Sequence, residues 1–190
     1  MKTILFLHGW GGNSNSFLPI INYFKNFYNC IAPTFPIPEN KVFILKDFVA
    51  MVQDIKCDYI IAHSFGARIA VFLNCEKMVI TGGAGLKPKT NLIKWIKKKL
   101  KIPSADYRVL NNLQKQTFKN IINYDISKDI KQTPTLLICG QRDKATPVYM
   151  AKKWHKINGN SILKIYKNCG HFAYLENKER FIKDVEQFLI

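Results

Sequence analysis

Ser64 lies in the stretch Ala62-His63-Ser64-Phe65-Gly66, with the apolar run "YIIA" before it and the amphipathic "GARIAVFL" after it. A serine hydroxyl is a weak nucleophile at neutral pH. It needs a base to take its proton and donors to hold the negative charge that develops on the attacked carbonyl. A sharp turn from strand to helix serves both needs. It pushes the side chain out of the sheet and aims the free N–H groups of the helix at the place where an oxyanion forms. Such a turn is so tight that the residues two before and two after the serine must be small. Ala62 and Gly66 satisfy that, with alanine in the first glycine position of the small-x-Ser-x-Gly pattern. The pattern also fits a serine that merely caps a turn, so its partners must decide.

Two partners follow in the chain. Asp143 stands just past an apolar run in "LLICGQRDKATP", and His171 stands in "YKNCGHFAYLENKERF". In that order, His171 would accept the Ser64 proton, while Asp143 would orient the ring and stabilise the imidazolium. Either could be innocent alone, Asp143 as a helix cap and His171 as a packed loop residue. A fourth piece is His8-Gly9-Trp10-Gly11-Gly12, whose glycines let the backbone turn its N–H groups toward the serine. The expected oxyanion donors are the backbone N–H groups of Trp10 and Phe65. His8 reads as a brace for its loop, His63 as a residue lining or packing the site, and His155 in "AKKWHKI" as a surface residue.

These residues need elements to position them. Apolar runs at 4–9, 29–33, 59–64, 78–83, 135–140 and 161–166 suit strands buried on both faces. Helical patterns at 15–27, 44–54, 66–74, 146–157 and 177–189 alternate with them. That alternation predicts an α/β fold with a mostly parallel, doubly wound sheet of six strands and helices on both faces. The length of 190 residues fits one domain, residues 1–190. The interval 86–133 breaks the alternation, being mostly helical and polar, and is expected to be a short helical cap inserted over one edge of the sheet. In open sheets of this kind ligands bind at the carboxyl ends of the strands. His8 to Gly12, Ser64, Gly82, Gly83, Asp143 and His171 all stand at the ends of such runs or after them.

Composition sets further bounds. Lys and Arg number 29 against 13 Asp and Glu, a net charge of +16. Such a surplus favours acidic partners, or it is a bias of composition without function. No recognition-helix, zinc or base-stacking motif accompanies it, so no specific nucleic-acid partner is expected. Cys30, Cys57, Cys75, Cys139 and Cys169 form no C-x-x-C pair, which predicts reduced thiols in a cytoplasmic protein and no metal site. The apolar run of "MKTILFLHGWGG" is too short for the core of a signal peptide and reads as a buried strand.

"FLHGWGG", "AHSFGA", "LLICGQRDKATP" and "CGHFAYLENKERF", taken in that order, resemble the α/β-hydrolase superfamily over nearly the whole chain. The resemblance implies Ser64 as nucleophile, Asp143 and His171 as the rest of the triad, and Trp10 and Phe65 as oxyanion donors. It implies no metal or organic cofactor. "APTFPIPENK" replaces the Asp and glycines that relatives often carry after the second strand, and the cap is short for the family. "HGWG" is similar to the tetrapeptide of esterases that remove a methyl group from a pimeloyl-carrier-protein ester. Lys87 to Lys101 holds seven lysines and no acid, which could dock an acidic carrier protein, lie on an anionic membrane or simply cover the pocket. The expected activity is serine hydrolysis of a carboxylic ester or thioester, with Trp10, His63, Leu92 and Trp95 binding the substrate. A non-catalytic binding protein of the same fold and a lipase or lysolipase at a membrane surface remain alternatives.

Overall fold

The computed structural model describes residues 1–87 and 109–190. Leu92, Trp95 and the lysines from Lys89 to Lys101 lie outside the described residues, and so does most of the expected cap helix.

The strands are β1 (Thr3–Leu7), β2 (Asn29–Ile31), β3 (Tyr59–His63), β4 (Lys77–Thr81), β5 (Thr135–Gly140) and β6 (Ser161–Tyr166). They form one sheet in the order β2-β1-β3-β4-β5-β6, and every neighbouring pair is parallel. The helices are α1 (Leu18–Phe24), α2 (Leu45–Ala50), α3 (Phe65–Ala70), α4 (Asn112–Asn123), α5 (Val148–Ile157), α6 (Ala173–Glu176) and α7 (Lys178–Leu189). This is the expected doubly wound sheet, parallel throughout.

Parallel strands are buried on both faces, and alternate residues divide between two cores. Ile4, Phe6, Ile61 and Val79 pack with Phe24 of α1 and Phe181 of α7 on one face. Leu5, Leu7, Ile60 and Ile80 pack with Phe48 of α2 and Ile69 of α3 on the other. The sheet is therefore held rigid from both sides, which fixes the loops at its carboxyl rim.

Some boundaries differ from the sequence pattern for local reasons. The helix expected over 15–27 is split. The Asn13 side chain caps a 3-10 turn over Ser14–Phe17, and Pro19 sits in the first turn of α1, where its missing N–H costs nothing. The run 4–9 stops being a strand after Leu7. Cys30, Cys57 and Cys75 are half-buried, whereas Cys139 and Cys169 are buried; all five cysteines are free, as expected of reduced thiols.

Between β4 and β5 the described residues include α4, which runs against the sheet's α2–α3 face. Ile121 joins that core, and Thr117 Oγ1 accepts the Phe43 N–H at 2.9 Å. The Arg68 guanidinium reaches from α3 to the carbonyl oxygens of Ile121 and Tyr124, both at 2.7 Å. It thereby caps the C-terminal end of α4, where carbonyls lack intrahelical partners. Burial pushes the Arg68 pKa down to about 10, partly offset by Asp125. No helix among the described residues is long and apolar enough to cross a membrane.

Candidate active site

Ser64 occupies the one-residue gap between β3 and α3, with φ 48° and ψ −108°. A non-glycine residue at positive φ is sterically strained, and only Ser64 and Asn168 show it among the described residues. The sequence makes this turn possible at Gly66. A Cβ there would fall on the carbonyl oxygen of Leu7 in the neighbouring strand, so α3 can begin this close to β1 only with glycine. The Ser64 N–H is tied to the Thr81 carbonyl at 3.1 Å, and its carbonyl accepts from Ala67 and Ala84. The backbone is thus fully held, while the Ser64 side chain makes no hydrogen bond to any described residue.

Asp143 and His171 meet. His171 Nδ1 lies 2.8 Å from Asp143 Oδ2. An ionised carboxylate only accepts, so the imidazole carries a proton on Nδ1 and turns Nε2 to the far side of the ring. Asp143 is 5% exposed, yet it stays ionised. Burial opposes its charge, but the hydrogen bond and charge of His171 and the donors of Thr146 outweigh this and hold its pKa below 3.8. Oδ1 accepts the N–H groups of Ala145 and Thr146, both at 2.8 Å, and Oδ2 accepts Thr146 Oγ1 at 2.7 Å. Thr146 was not singled out by its sequence. The Asp-x-x-Thr spacing at the start of a helix was the available signal.

The His171 ring is placed beside the nucleophile turn through His63. The two imidazole centroids are 4.7 Å apart, and His63 Nε2–H donates to the His171 carbonyl at 3.1 Å. His63 is 3% exposed, and burial, then the nearby His171, lowers its pKa to about 3. It is therefore a neutral packing residue at the foot of the site. Gly82, at φ 54°, makes room for His171, since a Cβ there would lie 3.2 Å from His171 Nδ1 and Cε1.

The glycine-rich loop after β1 is braced by His8. The Phe35 N–H donates to His8 Nε2 at 2.9 Å, so Nδ1 carries the proton and donates to the Gly9 carbonyl at 2.7 Å. The same carbonyl accepts the Gly12 N–H at 3.0 Å. Peptide planarity then directs the Trp10 N–H the opposite way, out of the turn. A Cβ on Gly9 would lie 3.5 Å from the Ser64 Cβ, so this peptide runs directly alongside the serine. Phe65 is the first residue of α3, and its N–H has no intrahelical acceptor.

Trp10 packs edge-on against Phe65 and Phe48, at centroid distances of 5.6 and 6.3 Å, and tilted against Phe118 at 5.3 Å. Trp10, Phe35, Pro36, Ile37, Phe48 and Phe65 come together in a closely packed aromatic patch beside the nucleophile turn, with next to no enclosed free space. A shallow hollow near Met78 and Thr135 lies at the amino ends of β4 and β5, on the rim opposite Ser64. It cannot serve chemistry at the serine. Among the described residues there is no group of His, Cys, Asp and Glu able to hold a metal ion.

The fold agrees with comparisons to known proteins. A family model described as alpha/beta hydrolase fold matches residues 85–178. An alpha/beta hydrolase enzyme from the metagenome of lagoon sediments of Mar Chica, Morocco, superposes with a TM-score of 0.77 at 23% identity, covering 98% of this chain and 90% of that one. A bacterial membrane phospholipase A, described as a virulence factor, gives a TM-score of 0.79 at 18% identity over 99% of this chain and 78% of that one. An esterase from Exiguobacterium antarcticum gives 0.72 at 15% identity, over 99% and 91%. The chain has the α/β-hydrolase fold.

Proposed function

We propose that this protein is a serine hydrolase that cleaves a carboxylic ester or thioester through an acyl-enzyme. The observation that carries the reading is the bonded pair Asp143–His171, stacked through His63 beside a strained Ser64 whose hydroxyl bonds none of the described residues.

In this reading Ser64 Oγ attacks the acyl carbon, and His171 Nε2 takes its proton and passes it to the leaving alcohol or thiol. Asp143 keeps the Nδ1 tautomer and stabilises the imidazolium. The N–H groups of Trp10 and Phe65 hold the oxyanion. Water activated by His171 then releases the acid. No step requires a metal or an organic cofactor. The aromatic side chains of Trp10 and Phe65 would pack against the apolar part of the acyl group.

The net charge of +16 supports an anionic substrate or carrier, such as an acyl ester on an acidic carrier protein. The pimeloyl-carrier-protein methyl ester belongs to that class. In that case the lysines from Lys87 to Lys101 would dock the carrier.

A hydrolysis panel tests the reading: p-nitrophenyl esters of increasing chain length, acyl-CoA, and methyl pimeloyl carrier protein, each with wild type and Ser64→Ala. Turnover by wild type and loss of about 10³-fold or more in the variant is the expected result. No turnover on any of them would favour a binding protein of the same fold.

A further inference from the structure

We propose that Glu176 is a positioning residue for His171, fixing the main chain on both sides of the imidazole. The inference rests on the catalytic reading of His171.

One backbone group on each of three consecutive residues, Gly170 to Phe172, is held by a side chain. Glu176 Oε2 accepts the Gly170 N–H at 2.7 Å, and Oε1 accepts the Phe172 N–H at 3.2 Å. Between them, the His171 carbonyl accepts from His63 at 3.1 Å. The Glu176 carboxylate therefore spans the histidine, one oxygen to each flank. Its own helix makes this possible. α6 is a single turn, closed by Leu175 N–H and Glu176 N–H on the Phe172 carbonyl at 2.8 and 2.9 Å, so residue 176 comes back over residue 172.

The carboxylate lies against Gly170 at the surface. A Cβ on Gly170 would come within 3.2 Å of Glu176 Oε1. On its other side the loop is pinned by the Arg142 N–H on the Cys169 carbonyl at 2.8 Å. The loop thus has a fixed foot at Cys169, a side-chain harness from Gly170 to Phe172, and the imidazole projecting between. Charged acceptors make stronger bonds to N–H groups than neutral ones, so an amide in place of the carboxylate is a weaker harness. A bonded pair such as His171–Asp143 holds its geometry only if the backbone carrying the ring cannot drift. A drift of about 1 Å at a reacting group costs on the order of 100-fold in rate.

The test uses Glu176→Gln and Glu176→Ala, with Glu179→Gln as a surface control and Ser64→Ala as a catalytic control. Two readouts are taken on each: kcat and KM with p-nitrophenyl acetate, and the low-field proton resonance of His171 Nδ1–H. The expected result is a fall in kcat of about 10-fold in Glu176→Gln and up to about 100-fold in Glu176→Ala, with KM within about twofold. The Nδ1–H resonance should broaden or vanish in the same order, and Glu179→Gln should change neither readout. An unchanged resonance in folded Glu176→Ala overturns the proposal, as does a kcat that falls only with the folded fraction. If Ser64→Ala hydrolyses the ester as fast as wild type, the hydrolase reading fails instead, and the resonance alone decides the role of Glu176.

Discussion

Gly66 lies so close to Leu7 that a methyl group on its Cα would overlap the Leu7 carbonyl oxygen. The contact is with a backbone atom of a buried strand, which cannot move aside. The tightness of the nucleophile turn is therefore set by helix-to-strand packing, and the strained φ of Ser64 is its consequence. Gly66→Ala should destabilise the fold by about 1–3 kcal/mol, as overpacked sites do, and should lower activity more than Ala62→Gly. Urea midpoints and initial rates on the same samples check both.

Thr146 should set how Asp143 responds to acid. Asp143 has a folded pKa below 3.8, so its ionised form stabilises the protein above that value, and the contribution is lost as pH falls through the folded value. Thr146→Val removes the hydroxyl donor to Oδ2 while keeping the shape of the side chain. The folded pKa of Asp143 should rise toward 3.8, so less stability is gained above it and the loss begins at higher pH. A carboxyl carbon titration of Asp143 by NMR, with denaturation at pH 3 to 6, measures both.

His63 acts in a different window. Its pKa is lowered from 6.5 to about 3, so between those values the unfolded chain binds a proton that the folded one does not. Stability linked to His63 is complete above 6.5 and is lost progressively as pH falls toward 3. His63→Gln keeps an N–H donor for the His171 carbonyl but cannot titrate. Its stability should therefore fall less than that of wild type between pH 7 and 4.5. Equal slopes in both proteins would contradict the neutral, buried assignment.

The parts of the site readable from sequence are those that follow a strand. Ser64, Asp143 and His171 each come shortly after a strand, and parallel pairing from β1 to β6 brings those ends to one rim. The bounds of β5 and β6 coincide with their apolar runs because both strands are ended by turn-forming residues. β1 stops early, at Leu7, because the backbone turns away in the glycine loop closed by the Gly12 N–H on the Gly9 carbonyl. Thr146, Glu176 and Arg68 were not legible. Their roles depend on loops that double back, and nothing in the spacing from His171 to Glu176 marks a carboxylate that bonds both flanking amides. His63 was read as lining or packing the site, and its contact with the His171 carbonyl required knowledge of how two loops far apart in the chain abut.

The central claim is that Ser64 is the nucleophile activated by His171. The most direct measurement is labelling with a fluorophosphonate, followed by mass mapping of the adduct. The account predicts one adduct per chain, on the peptide carrying Ser64, absent in Ser64→Ala and strongly slowed in His171→Ala. An adduct elsewhere, or labelling of Ser64→Ala at the wild-type rate, would contradict it.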